Sequence, residues 1–461
     1  MRAKFVTRAS KGTIPVHPLT PEDLEAWKEA ASPAERSWVE AARFAAKPAE
    51  VVVVPGAGGA PSLVLLGLGA DPNLWAFGAL SSQLPTGRYQ IHGLADATDA
   101  TAAALGFALG AYAFDRYKEV PEPDVELVWP EGADRAQVTR LADSIELVRD
   151  LINTPAEDMG PAQLADVVQQ VGKAYGARVS VIEGAQLLKK NYPAVHAVGR
   201  AASADRAPRL IDLRWGKAKD PKVTLVGKGV VFDSGGLDIK PASGMLTMKK
   251  DMGGSAIVLG LARAIMDAKL PVRLRLLIPA VENAISGNAF RPLDVLQTRK
   301  GLTVEVGNTD AEGRLILCDA LAEACTESPE LLIDFATLTG AARVALGTEI
   351  PVMFSNDDNV AEGILAAGEE VDELVWRLPL HAGYRRHLDS KVADISNTGS
   401  TAYGGAITAA LFLQSFVDDG QPWAHFDIMA YNLDGQPGRP PGGEAMGLRA
   451  VFDYVQSRYG G

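Results

Sequence analysis

Cysteine is scarce in this chain of 461 residues, which contains only Cys318 and Cys325. On the one helix predicted there, seven residues would separate them by roughly 10 Å, too far for a disulfide. We therefore expect two buried thiols in a reducing compartment. No uncharged apolar run reaches the length of about eighteen residues that a membrane-spanning helix needs, and none of signal-peptide length follows the N-terminus. These absences predict a soluble, cytoplasmic protein.

An excess of basic residues is also missing. Lysine and arginine together number 45 against 57 aspartates and glutamates, which gives a formal net charge of −12. A protein whose main partner is nucleic acid or an anionic membrane needs a basic face, so we expect no membrane partner and regard nucleic acid as unlikely. The six histidines include no HExxH pair, and His425 lies in an apolar strand pattern typical of a core residue.

Strand and helix patterns alternate along the whole chain, whose length is typical of two or three domains. We predict a small N-terminal α/β domain over residues 1–133, a linking helix over 134–159 and a larger C-terminal α/β domain over 160–461. Continuous apolar strands predict a mostly parallel mixed sheet flanked by helices in the larger domain. Its candidate strands cover residues 178–182, 210–215, 223–226, 272–280, 331–336 and 423–428.

Three local patterns in the N-terminal domain give more specific predictions. Thr20 and Ser32 are each followed by proline and an acidic residue, which predicts two capped helix starts. A helical run over 100–117 has Asp99 placed to cap it. Residues 55–59, Pro-Gly-Ala-Gly-Gly, match neither a dinucleotide nor a P-loop spacing, so we interpret them as a turn between strands.

A glycine-rich segment, residues 227–236, follows the predicted strand 223–226. A dinucleotide fingerprint and a nucleophile elbow would both need glycine at Phe232, and a P-loop would need Ser or Thr at Gly229. None of the three motifs fits, which disfavours nucleotide cofactors and serine-hydrolase chemistry. The segment nevertheless places Lys228 and Asp233 at a strand end, where open α/β sheets bind ligands.

Further charged residues gather at two predicted helix starts. Asp310, Glu312 and Arg314 lie where a polar segment gives way to an apolar helical pattern, and Asp251 precedes another helix. Taken alone, each group is more typical of a capped and solvated helix start than of a binding site. Four carboxylates that converge would repel one another unless cations intervened, and two divalent metal ions would balance them. The four are Asp233, Asp251, Asp310 and Glu312.

The chain resembles the leucyl aminopeptidase family, the cytosol aminopeptidases, and especially its bacterial members. Residues 308–315, Asn-Thr-Asp-Ala-Glu-Gly-Arg-Leu, are that family's signature, unaltered. The resemblance includes segments 227–251, 288–294, 336–340, 404–408 and 423–428 and covers the chain from about residue 145 onward. The chain departs from the family at 445–449, where many relatives carry Thr-Gly-Arg-Pro, and its N-terminal third matches only in α/β alternation.

The resemblance implies a dinuclear metal centre. Asp233 and Glu312 would bridge the two ions, and Lys228 would bind one of them as a neutral amine because the nearby dication displaces its proton. Oxygen-rich coordination suits Mn or Zn, with Mg or Co also possible. The tighter ion would be held by Lys228, Asp233, Asp251 and Glu312, and the more exchangeable ion by Asp233, Asp310 and Glu312.

The activity that the resemblance implies is removal of the N-terminal residue of a peptide, with a metal-bridging hydroxide as nucleophile. Lys240 would hydrogen-bond the developing gem-diolate, and Arg314 would hold a bicarbonate ion that carries the proton to the leaving amine. An apolar floor containing methionine favours leucine or another apolar first residue. The substrate contacts would come from Met248, Thr337, Leu338 and Gly340.

Two alternatives stay open at this point. The same metal chemistry would suit a dipeptidase or a cysteinylglycine hydrolase. A non-catalytic assembly or binding module is the alternative from another class, although the intact set of polar residues disfavours it. By analogy with the family, we expect peptide substrates and a homohexamer built as a dimer of trimers.

Overall fold

The N-terminal part of the chain forms its own sheet in the computed structural model, which describes residues 1–56, 58–122 and 124–460. It belongs to a first unit made of Met1–Glu146 and Leu433–Pro441. The strand order is β1-β6-β5-β2-β4-β3, and only the β3–β4 pair is antiparallel among the strands described. In chain order they are β1 Lys4–Val6, β2 Ile14–Leu19, β3 Val51–Pro55, β4 Pro61–Gly67, β5 Gly87–Ile91 and β6 Val125–Val128.

The helices of this unit are α1 Pro21–Ala30, α2 Pro33–Ala41, α3 Leu80–Gln83 and α4 Ala97–Gly110. Thr20 and Ser32 cap α1 and α2 in full capping boxes, which confirms those two predictions. The predicted bounds of α4 are wrong. Asp96, not Asp99, is its cap, because the Asp96 carboxylate accepts from the amides of both Thr98 and Asp99. The predicted turn at 55–59 includes Ala57, which lies outside the described residues.

A second, larger sheet belongs to the unit made of Leu147–Asn432 and Gly442–Gly461. Its strand order is β16-β15-β18-β14-β9-β11-β8-β7, with β10 pairing beside β11. The strand pairs β9–β11, β10–β11, β9–β14 and β14–β18 are parallel. The pairs β7–β8, β8–β11 and β15–β18 are antiparallel. The prediction of a mostly parallel mixed sheet is therefore confirmed. The strands of this sheet are β7 Arg178–Glu183, β8 Arg209–Trp215, β9 Lys222–Gly227, β10 Gly229–Asp233, β11 Arg273–Asn283, β14 Leu331–Ala336, β15 Val352–Ser355, β16 Trp376–Arg377 and β18 Trp423–Asp427.

Two smaller sheets complete the strands of this unit. One joins β12 Val295–Gln297, β13 Thr303–Glu305 and β17 Ile395–Ser396, and the other joins β19 Tyr431–Asn432 and β20 Gly442–Gly443. A long helix, α5 Arg135–Asn153, begins in the first unit and ends in the second. The predicted domain limits, including the linking segment 134–159, stay a prediction.

Helices flank the larger sheet, and two of them are almost wholly buried. In α10, Gly253–Asp267, and α11, Glu312–Cys325, most side chains contact the core. Cys318 and Cys325 on α11 are free and buried, as expected. None of the helices in the described ranges has both the length and the hydropathy needed to cross a bilayer. The remaining helices are α6 Pro161–Ala174, α7 Gln186–Lys189, α8 Pro193–Gly199, α9 Ala242–Met245, α12 Gly340–Leu346, α13 Asp358–Glu370, α14 Gly405–Gln414 and α15 Leu448–Tyr459.

The carboxyl ends of β9, β10, β11 and β14 lie at one edge of the larger sheet, because these strands run parallel to one another. Ligands of open α/β sheets bind at such an edge, where the chain leaves each strand through a loop. The loops after β9, β10 and β14 and the start of α11 carry the polar residues singled out from the sequence. The fold therefore brings segments distant in sequence to one place.

Asp319, in the middle of α11, is a fully buried carboxylate that joins three segments of this unit. Its Oδ2 accepts from the amides of Ala194 (2.8 Å) and Val195 (3.2 Å), and its Oδ1 accepts from the Arg299 amide (2.7 Å). Burial raises the pKa of the Asp319 carboxyl to about 7. Asp319→Ala would leave two buried N–H groups and one partly buried N–H group without this acceptor. We expect it to lower the free energy of unfolding by about 3 kcal/mol or more, measured by urea denaturation.

A matched control is Asp394→Ala, since this exposed carboxylate also accepts from a backbone amide, that of Thr303 (2.8 Å), and from the Thr303 hydroxyl (2.7 Å). Water replaces those bonds at the surface, so the loss there should stay at about 1 kcal/mol or less. Equal losses in the two variants would show that burial of the Asp319 bonds contributes nothing extra to stability.

Candidate metal centre

The five predicted ligands lie at the edge of the larger sheet, at the ends of two strands and the starts of two helices. Lys228 is the single residue between β9 and β10, and Asp233 is the last residue of β10. Asp251 lies in a short 3-10 turn, Met248–Met252, that leads into α10. Asp310 and Glu312 lie at the start of α11, of which Glu312 is the first residue. The structure thus gathers all five residues in one cleft.

Three carboxylates form the centre of this cleft. Asp233, Asp310 and Glu312 each offer an oxygen within 4.8 Å of the others. Asp233 and Glu312 are buried, whereas the Asp310 side chain is 32% exposed and faces solvent. Asp251 lies beside them, with its Oδ1 accepting from the Thr337 hydroxyl at 2.8 Å. Such closely spaced oxygens are the donor set that hard divalent cations prefer.

Lys228 connects Asp251 with Glu312. Its buried Nζ lies 2.8 Å from Asp251 Oδ2 and 3.0 Å from Glu312 Oε1, and it donates to the Thr337 carbonyl at 3.0 Å. The two carboxylates raise the pKa of the Lys228 ammonium in the metal-free protein, despite the opposing effect of burial. The lysine therefore occupies, as a cation, a position among oxygens where a metal ion would compete with its proton.

Lys240 contacts the other two carboxylates. Its Nζ lies 2.8 Å from Asp233 Oδ2 and also forms an ion pair with Asp310. The pKa of Lys240 is raised, since these carboxylates outweigh its partial burial. The side chain keeps some contact with solvent, at 15% exposure. Lys240 thus lies beside the predicted metal ligands, and its hydrogen bond to the developing gem-diolate stays a prediction.

The titration of the carboxyl groups shows how much negative charge is concentrated here. Burial and the neighbouring Asp233 raise the pKa of Glu312 to about 8 and that of Asp310 to about 6. Two ammonium groups face four carboxylates, so negative charge is left in excess. Glu312 Oε2 is buried and has no hydrogen-bond partner among the described residues. A buried carboxylate oxygen without a hydrogen-bond donor, in a cluster with excess negative charge, is what a cation-binding site would provide.

Glycine at position 313 allows a close contact with Lys228. A Cβ at this position would lie 2.4 Å from Cε and 2.7 Å from Nζ of Lys228. The side chain of Lys228 therefore passes directly over Gly313. The glycine therefore makes room for the side chain of a predicted metal ligand of the protein itself.

Arg314 lies behind this cluster on the first turn of α11. Its side chain is 8% exposed, and Nη1 donates to the Asn397 carbonyl at 2.8 Å. Burial lowers the pKa of its guanidinium to about 10. Its buried Nε has no hydrogen-bond partner in the described part of the chain. Unlike the other predicted site residues, Arg314 is not part of the cleft lining, as far as the described residues define it.

The predicted substrate residues line the same cleft, which encloses about 250 Å³. Met248 and Thr337 are buried, and Leu338 is partly exposed. Asp427 Oδ1 accepts from the amides of Leu338 and Thr339, both at 3.0 Å, and so fixes the loop between β14 and α12. The residues that line the cleft are Lys228, Asp233, Lys240, Met248, Lys250, Asp251, Asp310, Glu312, Thr337, Leu338, Thr339, Gly340, Arg343 and Ile428.

The sequence analysis did not identify the side chains that hold the predicted metal ligands in position. Asn283, the last residue of β11, donates from Nδ2 to Asp233 Oδ1 at 2.8 Å and to the Thr309 carbonyl at 3.1 Å. Asn397 accepts from the Gly307 amide at 2.7 Å and donates to the Asn308 carbonyl at 2.8 Å, so it closes the loop that carries Asp310. A polar residue at a parallel strand end was the available signal for Asn283. No comparable signal marks Asn397.

Comparison with known proteins gives consistent matches along the chain. Residues 146–452 match the family model "Cytosol aminopeptidase family, catalytic domain", and residues 14–130 match "M17 aminopeptidase, N-terminal domain". A probable cytosol aminopeptidase of Methylobacterium radiotolerans is 40% identical over 435 residues, which cover 88% of this chain and 85% of that protein.

Solved structures of related proteins are similar to this chain in both fold and length. The crystal structure of cytosol aminopeptidase from Coxiella burnetii is 52% identical, covers 99% of both chains and has a TM-score of 0.94. The bottromycin maturation enzyme BotP in complex with Mn is 35% identical, has a TM-score of 0.88, and covers 97% of this chain and 99% of its own.

Proposed function

Since this chain belongs to the cytosol aminopeptidase family and is therefore a metallo-exopeptidase, we propose that its cleft binds two divalent metal ions and removes leucine or another apolar residue from peptide N-termini. The observation that supports this most directly is the convergence of four carboxylates and two lysines, with Glu312 Oε2 buried and without a partner among the described residues. This donor set also disfavours a non-catalytic module, because closely spaced buried carboxylates are costly unless a cation compensates them.

The residues that would hold the two ions follow from these positions. Lys228 and Asp251 would bind one ion and Asp310 the other, with Asp233 and Glu312 shared between them. Bound divalent ions of this kind polarise a carbonyl and lower the pKa of water, which supplies the nucleophile for peptide hydrolysis. Manganese is the first candidate because the similar BotP structure contains Mn, and zinc, magnesium and cobalt suit the same oxygen-rich set.

The protein's own side chains would orient the substrate around these ligands. Lys240 Nζ, held beside Asp233 and Asp310, is placed to donate to the carbonyl oxygen as negative charge develops on it. Met248, Leu338 and Ile428 provide an apolar wall for the first side chain.

Arg314 is the proposed site for bicarbonate. Its buried Nε has no partner among the described residues, and its guanidinium is anchored through Nη1 to the Asn397 carbonyl. A planar guanidinium presents paired donors that match a planar oxyanion better than a lysine would. Glu312 and Arg314, two residues apart on the first turn of α11, would then bind a cation and an anion respectively.

The cellular setting is proposed on the family alone. The curated relatives are named cytosol aminopeptidases, and we propose a cytoplasmic location and a homohexamer made of two trimers that acts on peptide substrates. Light scattering coupled to size-exclusion chromatography tests the assembly: a mass of a single chain, 48.7 kDa, would contradict it.

The proposed activity is tested by hydrolysis of leucine p-nitroanilide after treatment with a chelator and again after addition of Mn or Zn. We expect chelation to lower the rate by at least about tenfold and added metal to restore it, because the carboxylate cluster supplies no nucleophile by itself. An N-acetylated leucine substrate should stay uncleaved throughout. Activity that survives complete metal removal, or cleavage of the acetylated substrate, would overturn the proposal.

A further inference from the structure

Two cations in the cleft are not explained by the binding of metal ions. Lys250 lies in the 3-10 turn Met248–Met252 and is only 3% exposed, yet it contributes to the cleft lining. Arg343, on α12, is half-buried and lines the same cleft. In the described part of the chain, neither side chain forms an ion pair with a carboxylate. A buried ammonium without a counter-charge is costly, so its presence in a binding cleft points to an anion supplied from outside.

Both cations adjoin the wall proposed for the first side chain of the substrate. Lys250 lies in the same turn as Met248. Arg343 Nη2 lies 3.4 Å from the point where a Cβ on Gly340 would be, and Nη1 is 3.4 Å from the sulfur of Met429. The cations therefore lie beside apolar groups, and a ligand that meets both kinds of wall needs an aliphatic stem and a negative end.

Apart from the proposed metal ligands, the carboxylate whose charge acts on Lys250 is that of Asp427, and it already accepts other hydrogen bonds. Asp427 accepts from the Leu338 and Thr339 amides, both at 3.0 Å, and from the Thr339 hydroxyl at 2.6 Å. Its bonds thus fix the loop between β14 and α12, and neither Lys250 nor Arg343 has a carboxylate partner among the described residues. The four metal-binding carboxylates, in turn, are balanced by two divalent ions when these are bound.

We propose that Lys250 and Arg343 form a recognition point for the carboxylate of an acidic first residue, so that glutamate at the peptide N-terminus is a substrate in addition to apolar residues. This inference rests on the proposed aminopeptidase function and extends its substrate class from apolar to acidic first residues. The methylenes of the glutamate side chain contact Met248 and Ile428, as an apolar side chain would. Its carboxylate forms charge-assisted hydrogen bonds with the ammonium and the guanidinium.

Glutamate and glutamine substrates separate the charge from the size of the side chain. We expect the metal-loaded wild-type enzyme to hydrolyse the glutamate p-nitroanilide with a kcat/KM about tenfold or more above that of the glutamine p-nitroanilide, since a site built for a charged partner rejects the uncharged isostere. Hydrolysis of leucine p-nitroanilide with a glutamate-to-glutamine ratio of one or less would overturn the inference and leave the proposed function intact. Loss of all three activities would instead contradict the proposed function.

Substitutions of the two cations test whether they cause the preference for the glutamate substrate over the glutamine substrate. Lys250→Met and Arg343→Met replace each cation by an apolar chain of similar length, and each should reduce the glutamate-to-glutamine ratio about tenfold, whatever happens to the absolute rates. Lys249→Met is the matched control, because the neighbouring Lys249 is not in the cleft lining and donates to the Asn153 carbonyl at 2.6 Å. It should keep the wild-type ratio. An equal change in all three variants would contradict a specific role for the cleft cations.

A second comparison tests which carboxylate of the substrate is recognised. Leucyl-glycine and its C-terminal amide differ only in the C-terminal charge. If Lys250 and Arg343 recognised the C-terminal carboxylate of a dipeptide, the free acid would be strongly preferred and Lys250→Met would remove that preference. We expect the two compounds to be hydrolysed at rates within about threefold of each other, since the recognition point adjoins the first side chain. A strong preference for the free acid would overturn the inference.

Discussion

Glu312→Gln is expected to lower kcat/KM for leucine p-nitroanilide by about 1000-fold at saturating Mn. Glu312 is 1% exposed, its Oε1 lies 3.0 Å from Lys228, and its Oε2 is buried with no hydrogen-bond partner among the described residues. Glutamine keeps the shape but replaces one oxygen by an amide group that cannot bind a cation. Metal content measured after dialysis should fall as well, because the residue is the proposed bridge between the two ions.

The same substitution should stabilise the metal-free protein at alkaline pH. Burial and Asp233 raise the pKa of Glu312 from 4.5 to about 8, so the folded state retains a proton that the unfolded state loses. The free energy of unfolding of the metal-free wild type therefore falls as pH rises from about 4.5 to about 8. Glutamine carries no titrating group, and the variant should lose part of this decline.

Thermal melts of chelator-treated protein at pH 5 and pH 8 measure this difference. Glu157→Gln is the control, because Glu157 is an exposed glutamate of the same unit and its replacement should leave both the activity and the pH dependence as they are. If Glu312→Gln kept full activity and full metal content, the assignment of Glu312 as a shared ligand would be wrong.

Gly313→Ala is expected to lower kcat/KM about 100-fold without unfolding the protein. The new Cβ would lie 2.4 Å from Lys228 Cε, 2.7 Å from its Nζ and 2.8 Å from its Cδ. These atoms are the far end of a flexible side chain, so the lysine moves away from Asp251 and Glu312 while the backbone stays in place. Alanine also favours the helical conformation of α11 by about 1 kcal/mol over glycine.

Activity and stability should therefore separate in Gly313→Ala, with the melting temperature equal to or above that of the wild type. The matched control is Gly287→Ala, since a Cβ at Gly287 meets no atom within 4 Å, and it should be neutral in both measurements. A Gly313→Ala enzyme with wild-type kcat/KM would show that the position of Lys228 over this glycine is irrelevant to the reaction.

Much of the candidate metal centre could be predicted from the sequence because its proposed ligands occur in short local motifs. Asp310 and Glu312 lie together at a helix start, and Lys228 and Asp233 follow an unmistakable apolar strand, now β9. In such cases local polarity and strand periodicity suffice to place the residues at one edge of a parallel sheet. The resemblance to a known family then supplied the expected role of each residue, which the positions in the cleft are consistent with.

The features that could not be predicted depend on contacts between distant segments or on the choice between equivalent neighbours. Asp96 and Asp99 could both cap α4, and only the geometry of the folded loop selects Asp96. Lys249 and Lys250 are adjacent and identical in type, but only Lys250 is buried in the cleft, because successive residues of a 3-10 turn point in directions about 120° apart. Asn397 acts through hydrogen bonds alone and leaves no periodic pattern in the sequence.

The hydrogen bond from Asn397 to the Asn308 carbonyl affects when the chain can finish folding during its synthesis, because the two residues are 89 positions apart. At about 5–20 residues per second, a ribosome needs on the order of 4–18 s to add those residues. During that interval the loop over residues 308–315 has been synthesised, but Asn397, which closes it, has not. A nascent chain therefore contains the predicted metal ligands before this hydrogen bond can form, and we expect activity only after residue 397 has been added.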